Sequence, residues 1–233
     1  ASAALMGPHT YQMAASLVPS FGKNGTIALT NATLTRTGAG AFNLNSVGSR
    51  LLLNASTLSV SESGDNRLIF GDSAEDAEIE VVNGSTFSMT GSDNSYYYLA
   101  GKRTKTRVVD SSMTVYGSSA SHKGRGFKFY KAYDCEFALT NSTLSAPCIM
   151  FGCAPYKDST YKGANYHGRA ERNVMRLHNA KVSLYNNGKK EWAVGFGNAT
   201  GGYANDSFTN TLVVSSDRKT SNNLMGLYMG GVN

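Results

Sequence analysis

The chain has 233 residues, 41% of them hydrophobic and only 16% charged, with a formal net charge of +6. This apolar content suffices for a core, no run is long and apolar enough to read as a membrane span, and an odd count of 3 cysteines argues against a framework built from disulfides alone. No Pro-rich or charged linker divides the sequence, so residues 1–233 are read as one domain.

Taken in chain order, the predicted elements repeat one short phrase. An alternating apolar run leads into Asn or Asp, one or two small residues, and a second alternating run. The copies are IALTNATL from Ile27, LLLNASTLSV from Leu51, IEVVNGSTFSM from Ile79, RVVDSSMTV from Arg107, FALTNSTL from Phe137 and MRLHNAKVSL from Met175. Between them falls a third run: NRLIFG ending at Gly71, YYYLAG at Gly101, GFKFYK at Lys131, CIMFG at Gly152, WAVGFG at Gly197 and LYMGG at Gly231. Each unit therefore holds three short strands separated by Asn, Gly and Ser turns, and no helical period of useful length occurs.

The Asn or Asp between the first two runs serves as a register mark, at Asn31, Asn54, Asn83, Asp110, Asn141, Asn179 and, more weakly, Asn210. The marks recur at intervals averaging roughly thirty residues, the signature of units that stack. Short strands recurring in one order suit a chain that coils in a single sense, each run pairing in parallel with its equivalent one coil above. The pattern resembles the right-handed parallel β-helix, the fold of pectate lyases, polygalacturonases, phage tailspikes and autotransporter passenger domains. The resemblance covers about residues 27–231 and is closest in style to autotransporter passenger, adhesin-like and tailspike-like solenoids. The fold class expected is all-β, with about seven three-stranded coils.

Asn suits the marked corners because it tolerates the left-handed conformation and its amide can hydrogen-bond to a stacked equivalent. Cys135, Cys148 and Cys153 lie beside strand runs and read as buried thiols, ahead of a Cys148–Cys153 or Cys135–Cys153 bridge. Aligning Gly71 with Gly101 sets DSAEDAE opposite KRTKTR, stacking Asp72 near Lys102, Glu75 near Lys105 and Glu78 near Arg107. A salt ladder between coils then accounts for the basic run without a nucleic-acid partner. The chain opens and closes inside repeat phrases, which suggests a segment of a longer solenoid or ends that meet other subunits.

A second basic group, with Lys123 and Arg125, lacks an acidic neighbour and is followed one coil later by a long interruption, expected to protrude over residues 154–173. It carries Tyr156, Tyr161, Tyr166, His167, Arg169 and Arg172. Tyr rings stack on sugars and cations meet carboxylates or sulfates, so these residues are the expected binding set, with acidic glycans or a protein surface as partner. The resemblance to polygalacturonases would imply paired aspartates with downstream His and Arg-x-Lys elements, which are not visible. No catalytic residue, metal or cofactor is assigned. The functional expectation is an extracellular or surface-displayed β-helix acting as stalk, adhesin or assembly module. A lyase or hydrolase acting on uronic-acid polymers and an end-to-end filament subunit are the alternatives.

Overall fold

The computed structural model describes residues 2–13, 22–37, 42–62, 66–70, 74–91, 95–117, 127–146, 149–151, 170–184, 194–196, 207–217 and 227–229. Its strands fall into three parallel sheets, two of them recruiting one strand per coil and the third taking a second short piece, Ala170–Glu171 and Ser207–Phe208, from two of the coils. Sheet A runs through Ala3–Met6, Thr26–Thr30, Arg50–Asn54, Glu78–Val82, Lys105–Val109, Glu136–Thr140, Val174–His178 and Thr211–Ser215. Sheet B takes Thr10–Met13, Thr33–Thr37, Thr57–Glu62, Thr86–Gly91, Ser112–Gly117, Thr143–Ala146 and Lys181–Leu184. Along sheet C lie Phe42–Leu44, Asn66–Phe70, Ser95–Lys102, Phe127–Tyr133, Ile149–Phe151, Val194–Phe196 and Leu227–Met229. The chain is an all-β parallel β-helix of about seven coils, as the repeat phrases predict. A right-handed sense is what the strong preference of parallel crossovers leads one to expect.

Alternation decides which residues point inward, because successive side chains of a strand face opposite sides. In sheet A, Leu29, Leu53, Val81, Val108, Leu139 and Leu177 share one register and all are buried. In sheet B, the buried Leu34, Leu58, Phe87, Met113 and Leu144 do the same. Ile27, Val182 and Leu184 are partly buried and pack against this core. Sequence alternation misses one inward residue: Arg36, in register with Met13 and Val60, is buried among the core columns.

The outward side of sheet B is different in kind. Thr33, Thr57, Thr86, Ser112 and Thr143 form one column, and Thr35, Ser59, Ser88, Thr114 and Ser145 a second. No register shift interrupts these pairings.

Both corners flanking sheet A are built on left-handed residues. At the corner leading into sheet B these are Asn31, Ala55, Asn83, Asp110, Asn141 and Asn179, with φ between 47° and 58°. The register mark at Asn54 is therefore one residue early: Asn54 ends its strand opposite Thr30 and Val82, and Ala55 takes the left-handed turn. Asn54 still joins the side-chain ladder, accepting from Asn83 Nδ2 at 2.8 Å, as Asn141 does from Asn179 at 3.2 Å. Asn210 is not a mark of this corner at all. It lies before its sheet A strand, where its side chain joins Asn173 at the other corner.

Inside the first corner a column of buried serines carries the polar load. The backbone N–H groups of Ala32, Ser56, Ser85 and Ser111 donate to the Oγ of Ser56, Ser85, Ser111 and Ser142 respectively, at 3.0 to 3.1 Å. Each of these hydroxyls also donates to a carbonyl of its own coil, from Asn54, Val82, Val109 and Thr140. Buried backbone polarity at a sharp turn is thus satisfied from coil to coil.

Candidate functional site at the excursion from sheet C

Sheet C is where the regular winding is interrupted. Pairing between Ser95–Lys102 and Phe127–Tyr133 runs from Leu99 opposite Phe129 to Gly101 opposite Ala132, so the later strand holds one extra residue. Within this bulge Lys131 is left-handed, with φ 49°. One coil later the same level is shared by two pieces, Ile149–Phe151 opposite the start of that strand and Ala170–Glu171 opposite its end. Residues 152–169, between these two pieces, lie outside the described residues. The next coil repeats the arrangement, with Val194–Phe196 and Ser207–Phe208 separated by 197–206. A one-residue bulge thus marks the level at which sheet C takes two pieces from each of the two following coils.

The residues on both sides of 152–169 are held in the wall. Phe151, on one side, stacks on Phe129 with ring centroids 4.4 Å apart, and Phe127 packs edge-on against Phe137 at 4.5 Å. On the other side, the fully buried Asn173 accepts from the Cys135 N–H at 2.9 Å through Oδ1 and donates through Nδ2 to the Ala132 carbonyl at 2.9 Å and to Asn210 Oδ1 at 2.8 Å. Residues 170–173 therefore belong to the coil, and the rest of the 154–173 segment lies outside the described residues.

Of the expected binding set, Arg172 lies in this clamp. It takes the left-handed corner and donates to Asp134 Oδ1 at 2.6 Å and Oδ2 at 2.8 Å, with Glu171 Oε1 at 2.5 Å. Its guanidinium is already engaged by two carboxylates, which hold it well above its ordinary pKa. Lys123, Arg125, Tyr156, Tyr161, Tyr166, His167 and Arg169 lie outside the described residues. Their segments are rooted on adjacent coils: 118–126 leads into Phe127, whose strand neighbour begins at Ile149.

The salt ladder is present with a different register. Lys105 faces Glu78, Arg107 faces Glu80, and Glu75 stands opposite Lys102 in backbone register while its carboxylate pairs with Arg103. Asp72 lies outside the described residues. Glycine marks mislead here because Gly101 stacks on Ala74, three residues beyond Gly71, since connections vary in length between coils. The ladder is also longer than its two seed segments, joining Arg50 to Glu78 at 2.9 Å, Arg107 to Glu80, and Arg176 to Glu136 at 3.1 Å. At the corner beside it, Arg103 clasps Glu75 and Asp76, so charge alternates along Asp76, Arg103, Asp134 and Arg172. Hydrogen bonds from Arg103 and Arg172 lower the pKa of Asp76 and Asp134.

Cys135 is a buried free thiol, which removes the Cys135–Cys153 bridge; Cys148 and Cys153 lie outside the described residues. Burial raises its pKa, and Thr104 Oγ1 donates to its Sγ at 3.1 Å. It occupies the corner column that elsewhere holds Ser49, Thr104 and Asn173, a small polar position more than a redox site.

Sequence reasoning gave no sign of one further cluster. His178 Nδ1 lies 3.0 Å from Ser215 Oγ, and His178 Nε2 lies 3.2 Å from Asp217 Oδ2. Asn179 Nδ2 also reaches that carboxylate at 3.1 Å, and Asn179 Oδ1 accepts from the Ser216 hydroxyl and the Asp217 N–H. These contacts staple two coils through exposed side chains. Only the register pairing of His178 with Ser215, separated by 37 residues, could have revealed it.

Among the described residues no group of three or more His, Cys, Asp or Glu side chains could hold a metal ion, and no helix is long and apolar enough to cross a membrane. The three parallel sheets define a β-solenoid. Comparison of the chain with protein-family models, curated proteins and solved structures finds no match.

Proposed function

We propose that the chain is an extracellular or surface-displayed β-helix that works as a stalk or adhesin, presenting the segments at 118–126 and 152–169 to an acidic glycan or an anionic protein surface. One observation carries the reading: Phe151 and Ala170, the residues on either side of 152–169, sit on strands that pair with one continuous neighbour. A segment held at both feet by a stacked aromatic pair and a buried Asn loses less freedom on binding than one on a loose tether. Arg50, Arg103, Arg107, Arg172 and Arg176 are engaged by carboxylates of adjacent coils, so the reading assigns the anionic partner to the cations of 118–126 and 152–169.

An array of sulfated and uronic-acid glycans tests this, using the intact chain beside a variant with 154–168 replaced by a short Gly-Ser link. Binding that weakens with salt and disappears in the variant supports the reading. Equal binding by both proteins contradicts it. A uronate absorbance assay run in parallel decides the lyase alternative, since turnover abolished by Tyr166→Phe or His167→Gln would replace the adhesin reading.

A further inference from the structure

We infer that the outward face of sheet B is a second binding surface, separate from the excursion, for an extended, uncharged polysaccharide. From the strand Thr33–Thr37 to the strand Thr143–Ala146, two complete outward columns carry a Ser or Thr hydroxyl at every position and no charge, and a third holds Thr37, Ser61 and Thr90 before reaching Tyr116. On the same coils the outward positions of sheet A hold Arg50, Glu78, Lys105 and Glu136. Two sheets of one solenoid thus show the solvent two different chemistries.

Spacing gives the hydroxyls their meaning. Parallel strands stack at about 4.8 Å and outward residues repeat every ~6.6 Å along a strand, so the face is a two-dimensional lattice fixed by the backbone. Neighbouring hydroxyls are within reach of one another, as the 3.2 Å bond from Ser112 Oγ to Thr86 Oγ1 shows. A ligand that presents its own hydroxyls at regular intervals can replace such contacts rung after rung, since each group both donates and accepts. Thr methyl groups add apolar contact for the C–H faces of sugar rings.

Charge and area select the occupant. Within these five strands an anionic polymer finds no cation, the first in the column being Lys181 beside Thr143 one coil on, and would surrender hydration without compensation, whereas a neutral one gives up only hydroxyl hydration. Two complete outward columns over five strands, with a third over three of them, cover at most roughly 24 Å by 13 Å, on the order of 300 Å². Stable protein partners need about 800 Å² each, so the lattice alone is too small to hold a second copy or another folded protein. A linear polymer escapes that limit because weak contacts accumulate along its length and along neighbouring chains.

The test is retention of the purified chain on microcrystalline cellulose and on insoluble chitin, at low and high salt. The intact chain is expected to be retained on one or both to the same degree at either salt concentration. A variant with Thr35→Val, Thr57→Val, Thr86→Val and Thr114→Val keeps side-chain shape and strand propensity, and should lose retention by about tenfold or more as cooperating hydroxyls are removed. A Thr86→Lys and Thr114→Lys variant, each folded by circular dichroism, should lose it as well. No retention of the intact chain, retention unchanged in both variants, or salt-sensitive retention overturns the inference. The variant lacking 154–168 should be retained normally, so failure here and failure of the excursion reading are distinguishable.

Discussion

Ser85 Oγ receives the backbone N–H of Ser56 at 3.0 Å from the adjacent coil, and both residues are buried. The same hydroxyl donates to the Val82 carbonyl, so one side chain closes its own turn and satisfies its neighbour's.

Ser85→Ala removes that acceptor and leaves a buried N–H without a partner. The expected loss is about 1 to 3 kcal/mol of unfolding free energy, read from urea melts. An unchanged midpoint would show that the serine column fills space without carrying the hydrogen bonds.

Charge at the neighbouring corner responds to pH in one direction. The folded-state pKa values of Asp76 and Asp134 lie below their ordinary 3.8, held there chiefly by hydrogen bonds from Arg103 and Arg172. A depressed carboxylate pKa stabilises the fold above the unfolded value and loses that contribution as pH falls through the folded one. Melting temperature should therefore drop as pH falls below about 3.8. Arg103→Glu should flatten part of that drop and lower the melting temperature at neutral pH, by an amount that shrinks in high salt.

Cys135 should resist alkylation in the native protein, since its thiol is buried and its pKa is raised. Peptide mapping after iodoacetamide treatment should find it modified only once the chain is unfolded. Cys135→Ser should fold normally because Ser49 occupies an equivalent place in the same column. Rapid native modification would mean the corner opens.

How much of this was legible depends on how local the signal is. The core columns follow from period-two alternation within each phrase, so Leu53, Val81 and Leu139 could be placed from a handful of neighbours. Register between coils is not local, because connections of unequal length intervene. That is why Gly71 was matched to Gly101 and the ladder slipped, and why Asn54 was set where Ala55 turns. The serine column was hidden behind its more conspicuous asparagine neighbours, since both occupy the same turn and only the burial of Ser56 and Ser85 separates them. Arg172 read as part of a basic loop because its partner, Asp134, is 38 residues away.

Gly101 tests the corrected register. Its φ is +82°, and a Cβ there would lie 2.1 Å from the Ala74 carbonyl oxygen. Both the left-handed backbone and the close approach exclude a side chain, so Gly101→Ala should destabilise by more than the roughly 1 kcal/mol of an ordinary glycine exchange. Tolerance of alanine would place Gly101 elsewhere in the stack.

The most direct test of the stacked parallel coil is a methyl NOE experiment on selectively labelled Leu and Val. Leu53, Val81 and Val108 share one register on three successive coils. Strand spacing puts nearest neighbours about 4.8 Å apart and next-nearest about 9.6 Å apart along the stack. Strong cross-peaks for Leu53 with Val81 and Val81 with Val108, and a weak or missing one for Leu53 with Val108, are the predicted result. Absence of the two neighbour cross-peaks, or a Leu53–Val108 peak as strong as either, would contradict the β-helix.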